Sequence, residues 1–157
     1  MFLEKSRIFV QIFIIMEPLQ LNDPQVSYGA IDDYGVFSFI DMVRKGIKFS
    51  LFSKFAGNIP FTQNDWSNFL HISERTLHRY QKEQGTFDSP QSERILEIAL
   101  LYNKGKEVFG DTEKFNLWLD SNNLALGGIK PKSLFDSTFG INLLKDELIK
   151  IEYGVLA

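Results

Sequence analysis

Arg75, Thr76, His78, Arg79 and Lys82 recur at three- and four-residue spacing between positions 74 and 84. On a helix they share one polar face. An Arg forks onto guanine O6 and N7, a Thr touches a base edge or a phosphate, and a Lys neutralises phosphate. The free N–H groups in the first turn of such a helix add a further phosphate contact. The set therefore has the chemistry of groove readout, and these five residues are the expected DNA-binding residues. Covalent and metal chemistry is not assembled in the same way. The chain has no Cys, which excludes disulfides, thiolate zinc sites and Cys nucleophiles. His71, Glu74 and His78 sit at helical spacing, but these are the only two His, and His71 falls in a turn rather than on the helix. They read as surface polar residues. No Ser occupies a Gly-x-Ser-x-Gly elbow. Gly127-Gly128 is a bare pair that fits a tight turn better than a phosphate loop, and Trp118 fits a core. No catalytic residue, metal ligand or cofactor is expected, and the chain does not read as an enzyme.

The elements that must position the cationic face are two short helices. Residues 62–70 follow Pro60, with Thr62 as N-cap, Asp65 suited to the positive first turn, and Trp66, Phe69 and Leu70 on the apolar side. His71-Ile72-Ser73 is a three-residue break. Ser73 caps the next helix, and Ile72 can staple onto Leu77 four residues into it. This is helix-turn-helix spacing, in which the second helix enters a major groove. Trp66, Phe69, Leu70, Ile72, Leu77 and Tyr80 are expected to lock the pair. His71 stands where that turn often has Gly, and His tolerates positive φ better than most residues.

The remaining pattern predicts helices almost throughout from residue 36. Val36, Phe39, Ile40 and Val43 form one face, and Phe49, Phe52 and Phe55 another. Gly46, Gly57 and Gly85 are expected stops. Ser89-Pro90 reads as N-cap and first helical residue, Thr112 as the cap of a short helix, and Pro131 as the start of a turn. Gly140 is expected to precede a last helix with Ile141, Leu144, Leu148 and Ile151 on one stripe, ended by Gly154. No strand pattern of useful length follows residue 36. The fold class is all-α, divided into an N-terminal extension or linker (1–35), a helix-turn-helix domain (36–87) and a second small helical domain (88–157).

The 157 residues are 44% hydrophobic and 24% charged, with 15 Phe, which suits one globular domain or two very small ones. The net charge of −3 argues against a general polyanion binder. The average hides a split, because residues 41–82 carry seven Lys/Arg against three acids, a local +4 between acidic flanks. That island coincides with the helix-turn-helix unit and the helices before it. Residues 8–16 (IFVQIFIIM) form an apolar run about half the length that spans a bilayer. No small-x-small cleavage site follows, so the run reads as a strand-like arm or as an upstream extension with Met16 as an alternative start. No membrane partner is expected.

The C-terminal third carries a recognisable series. It runs Phe115-Asn116-Leu117-Trp118-Leu119, Asn122-Asn123-Leu124-Ala125-Leu126-Gly127-Gly128, Lys130-Pro131-Lys132-Ser133-Leu134-Phe135 and Thr138-Phe139-Gly140, and it closes with Ile151-Glu152-Tyr153-Gly154-Val155-Leu156-Ala157. This resembles the toxin-binding domain of Xre/MbcA/ParS-type antitoxins. Leu70 to Tyr80 resembles the family's helix-turn-helix, and Ser89-Pro90-Gln91-Ser92-Glu93-Arg94 the start of its following helix. The departures are Lys130 for Thr before Pro, Lys150 for Arg in the closing motif, His71 for Gly, and Phe135 for Leu. The change at 150 turns a planar fork into a point charge.

The resemblance implies an antitoxin of a type II toxin–antitoxin pair that forms dimers or larger assemblies, binds its own operator, and buries the active site of a toxin, usually a RES-domain protein that consumes NAD. The implied location is cytoplasmic. In the family the C-terminal region reaches the toxin's cleft, which here implicates Lys150, Glu152, Tyr153, Gly154, Val155, Leu156 and Ala157. The residues themselves fit that role, since Gly154 frees a short apolar tail ending in a carboxylate. Two other readings stay open on sequence grounds: a stand-alone helix-turn-helix transcriptional regulator without a toxin partner, and a helical scaffold.

Overall fold

A computed structural model of the chain describes residues 33–154, with side chains from residue 37. The apolar run at 8–16, the possible start at Met16, nearly all of the turn-rich stretch before residue 36, and Val155–Ala157 lie outside the described residues. Those described form helices α1 (Asp33–Lys45), α2 (Phe49–Ala56), α3 (Gln63–Leu70), α4 (Glu74–Glu83), α5 (Ser89–Phe109), α6 (Thr112–Asp120) and α7 (Thr138–Glu152). Two 3-10 segments, Leu124–Leu126 and Pro131–Asp136, join α6 to α7. The class is all-α, and no strand occurs among the described residues beyond two isolated bridges.

Compactness does not follow linear order. One unit takes residues up to Ile59 together with His78–Glu93, and the other takes Pro60–Leu77 together with the chain from Arg94 onward. In the first, Phe49, Phe52 and Phe55 of α2 are buried with Ile47, Ile59 and Phe87. Phe52 meets Phe87 edge-on with ring centroids 5.1 Å apart. A short antiparallel pairing of two segments of the chain holds this cluster, in which Phe87 N–H donates to the Ile47 carbonyl (2.8 Å) and Phe49 N–H to the Gly85 carbonyl (2.8 Å). Ser92 completes it. Its fully buried hydroxyl accepts from Ile47 N–H (2.9 Å) and donates to the Phe87 carbonyl (3.2 Å). The Ser92 hydroxyl thus pairs an N–H that burial would otherwise strand at a cost of about 1–3 kcal/mol. Gly46 is required twice over, since its φ is +81° and a Cβ there would lie 2.7 Å from Thr86 Cγ2 and against the Phe87 carbonyl. On α1, Phe39 and Val43 of the expected face are half-buried while Ile40 is exposed.

The second unit has an aromatic centre. Phe61 sits 5.5 Å from Trp66, 5.4 Å from Phe69 and 5.4 Å from Phe135, all edge-on. In the same unit Ile95, Ile98, Leu101, Phe115, Leu119, Ile141, Leu144 and Leu148 are buried. Tyr102 donates its hydroxyl proton to Asn116 (2.9 Å), and burial pushes its pKa up despite that bond. Trp118 stacks on Phe115 at 5.9 Å, which is a packing role.

Three helix starts differ from the sequence expectation. α5 begins at Ser89, and Ser92 N–H donates to the Asp88 carbonyl (2.9 Å), so Asp88 is the capping position and Pro90 the second helical residue. Asp111, not Thr112, caps α6, its carboxylate accepting from Glu113 N–H (2.7 Å). α7 begins before Gly140, capped by the Ser137 hydroxyl, which accepts from Gly140 N–H (3.0 Å). Gly140 is there because the Leu134 carbonyl occupies the space a Cβ would need.

Candidate functional site

The cationic row begins with the cap on α3. Thr62 and Asp65 form a reciprocal box: Thr62 N–H donates to Asp65 (2.8 Å), and Asp65 N–H donates to the Thr62 hydroxyl (3.0 Å). Partial burial works to raise the Asp65 carboxyl, but the Thr62 hydrogen bonds and Lys132 hold it below its ordinary range. Lys132 Nζ is 3.2 Å from that carboxylate. With the folded value depressed, the stabilisation is present above the unfolded pKa of about 3.9 and is lost as pH falls through the lower folded value. Acid unfolding of Asp65→Asn, followed by circular dichroism, is therefore expected to be less steep below about pH 4 than that of the unaltered chain.

α3 ends on His71, whose φ of +54° and ψ of +40° are left-handed, as the sequence position suggested. Its ring compensates: Nε2 lies 2.6 Å from the Asp136 carbonyl and so carries the proton it donates. Ser67, buried on α3, donates to the Ile72 carbonyl (2.6 Å) and so holds the turn from inside. Ser73 caps α4 by accepting from Thr76 N–H (3.0 Å). Ile72 is half-buried and Leu77 buried, consistent with a staple. Tyr80 is half-buried and packs on Phe87 at 4.7 Å.

Along α4, Arg75, His78, Arg79 and Lys82 are all exposed, at i, i+3, i+4 and i+7. Thr76 is half-buried and its hydroxyl is 2.9 Å from that of Ser73, so it caps as much as it presents. Gln84 ends this helix in the left-handed region (φ +49°), and Gly85 follows because a Cβ there would lie 2.8 Å from Tyr80 Cδ1.

The second set of candidate residues lies at the end of α7. Lys150 Nζ is 3.4 Å from the carboxylate of Glu147, which is buried, and Glu152 is paired with Lys104 of α5 at 2.8 Å. Tyr153 is 73% exposed. Gly154 takes φ +66° with nothing near its Cβ position, so its role is conformational. Glycines also close the preceding loop. Asn123 caps Leu124–Leu126 through Ala125 N–H (2.9 Å), and Gly127 and Gly128 both have positive φ (+77° and +82°). Lys130, where Thr is usual, makes no side-chain cap. Leu124 (93% exposed) and Phe139 (90%) stand out of this region, with Leu117 and Leu143 also exposed. The sequence signal for them is that Phe139 and Leu143 fall off the buried stripe of Ile141, Leu144 and Leu148. The pairing of Lys104 with Glu152, 48 residues away, carries no signal in the spacing of the sequence. Among the described residues no group of three or more His, Cys, Asp or Glu is arranged to hold a metal ion.

Residues 38–100 match the Antitoxin Xre-like helix-turn-helix domain, and residues 104–154 match the Antitoxin Xre/MbcA/ParS C-terminal toxin-binding domain. The chain belongs to the Xre/MbcA/ParS antitoxin family. Among similar proteins is the Prs ADP-ribosylating antitoxin of Sphingobium sp. (strain YBL2), 24% identical over 85% of this chain and 90% of that one. Another is Antitoxin Xre of Photorhabdus laumondii subsp. laumondii, 22% identical over 74% of this chain and 79% of that one. The antitoxin thus pairs a DNA-binding helix-turn-helix domain with a toxin-binding domain, and its family is one of regulators rather than enzymes. Among the described residues no helix of the antitoxin is long and apolar enough to cross a membrane.

Proposed function

We propose that this antitoxin neutralises a RES-type, NAD-consuming toxin by occluding its active site, and that it represses its own synthesis by binding operator DNA in the cytoplasm. Residues 36–87 carry DNA binding, and residues 88–157 carry dimerisation and neutralisation. The observation that carries the DNA half is the exposed row Arg75, His78, Arg79 and Lys82 on one helix behind a tightly held turn. Thr76 completes the set. One protomer brings few cations, and phosphate contacts dominate affinity, so a two-fold dimer or larger assembly on a palindrome is the physical requirement.

The toxin's chemistry is supported by a relative whose name couples the antitoxin to ADP-ribosylation of Prs. Transfer of ADP-ribose draws on NAD. The end of α7 is the part offered to the toxin's cleft: Lys150, exposed Tyr153, the turn at Gly154, and then Val155, Leu156 and Ala157, with Glu152 belonging to the same element through its pairing with Lys104. A narrow apolar segment after a left-handed turn can enter a pocket sized for a nucleotide.

Co-expression with the product of the neighbouring open reading frame tests both halves of this reading. Deleting residues 153–157 is expected to abolish growth rescue while Tm and operator binding stay as in the full chain, because the segment leaves α7 beyond its last buried residue, Leu148. Full rescue by the truncated chain would remove the tail from the mechanism.

A further inference from the structure

We infer that Glu152 is a positioning residue: its pairing with Lys104 on α5 holds the last turn of α7, through Tyr153 and Gly154, in one geometry. This rests on the proposed role of the end of α7 in toxin binding and says what fixes that turn. Lys104 Nζ lies 2.8 Å from both carboxylate oxygens of Glu152. The two side chains are 14% and 34% exposed, so the pair is less screened than an ordinary surface ion pair.

Helix physics does not explain a Glu at this place. A carboxylate in the last turn opposes the helix dipole, which favours cations there. What offsets that repulsion is the ammonium of another helix. The neighbouring charges fit this picture. The Glu107 carboxyl, one turn along α5, is pushed up by burial and pulled down by Lys104, with Glu152 raising it and Lys106 lowering it. Lys104 thus lies near two carboxylates, and its bonds to Glu152 reach across to α7.

The consequence is mechanical. The last turn of a helix opens first. Here that turn holds the exit geometry, with Tyr153 N–H donating to the Ile149 carbonyl (3.0 Å) and Gly154 N–H to the Ile151 carbonyl (3.1 Å). Gly154 then redirects the chain with φ +66°. Pinning Glu152 to α5 keeps both bonds closed, so Tyr153 and Gly154 hold one geometry before the toxin arrives. Ordering a segment in advance raises affinity without adding a contact.

The test uses the full chain with Lys104→Met, Glu152→Gln and the charge-swapped pair K104E/E152K. Two quantities are read: amide hydrogen exchange at Tyr153 and Gly154 in the antitoxin alone, and affinity for a catalytically inactive form of the neighbouring gene's toxin. Each single variant is expected to speed exchange at those two amides at least about threefold, with Leu144 and Leu148 unchanged. Each is also expected to weaken toxin binding about 3- to 10-fold, and the swap to restore both quantities. Unchanged exchange at 153 and 154 would overturn the inference. So would a swap that restores exchange but not affinity, because Glu152 would then contact the toxin itself. Deletion of 153–157 with no loss of affinity would instead refute the tail mechanism, leaving the exchange data to judge the Lys104–Glu152 pair separately.

Discussion

Replacing Arg75 and Arg79 together by Ala is expected to abolish specific operator binding while leaving toxin neutralisation intact. Both residues are exposed, one helical turn apart on α4. A bidentate Arg–guanine contact contributes about 1–3 kcal/mol. A two-fold dimer makes each contact twice, so the combined loss is comparable with the roughly 4–10 kcal/mol that separates specific from non-specific DNA binding. The fold has little at stake. The nearest interaction of either guanidinium is Arg79 over the Tyr80 ring at 5.9 Å, an exposed cation–π contact worth about 0.5–1 kcal/mol. A gel shift on the antitoxin's own upstream DNA, run at two salt concentrations, gives the measurement. Binding equal to that of the unaltered chain would move the recognition face off α4.

Gly105→Ala is expected to destabilise the second unit although Ala favours helix over Gly by about 1 kcal/mol. Gly105 lies within the 21-residue α5 and is buried. A Cβ there would run into three atoms of the Phe115 ring, which is itself completely buried. That ring has little room to retreat, with Tyr102 at 5.3 Å, Phe109 at 5.6 Å and Trp118 at 5.9 Å. Overpacking of this kind costs about 1–3 kcal/mol, and with a ring this confined the upper half of that range outweighs the propensity gain, so a net loss of up to about 2 kcal/mol, or up to about 8 °C in Tm for a chain of this size, is expected. Phe115→Leu in the same chain should recover part of it, a coupling that a double-mutant cycle reads directly. A rise in Tm for the single variant would show that the helices separate more freely than their packing implies.

Residue order alone makes some of the site legible and leaves some hidden. The α3–turn–α4 unit could be read because its signals are local: Thr62 and Ser73 as caps, His71 in a position that wants positive φ, and cations at helical spacing. The pairing of Thr62 with Asp65 is equally local, three residues apart. The misplaced helix starts at Ser89, Thr112 and Gly140 have another origin. At the first two the preceding Asp takes the capping position, whereas α7 is capped by Ser137, three residues before Gly140, a glycine that close approach of the Leu134 backbone requires inside the helix.

The sequence by itself determined the all-α class, the helix-turn-helix and the family, because hydrophobic periodicity, caps and motif order act over a few residues at a time. Only the tertiary structure decided which polar groups are already engaged. It placed Ser92 between Ile47 and Phe87, gave the Lys150 charge to buried Glu147, and joined Glu152 to a lysine 48 residues away. It also showed Leu124 and Phe139 standing in solvent rather than in a core. The physical reason is common to all of these. A side chain's partner depends on which helices pack together, and a pattern with a period of 3.6 residues carries no record of distance across the fold.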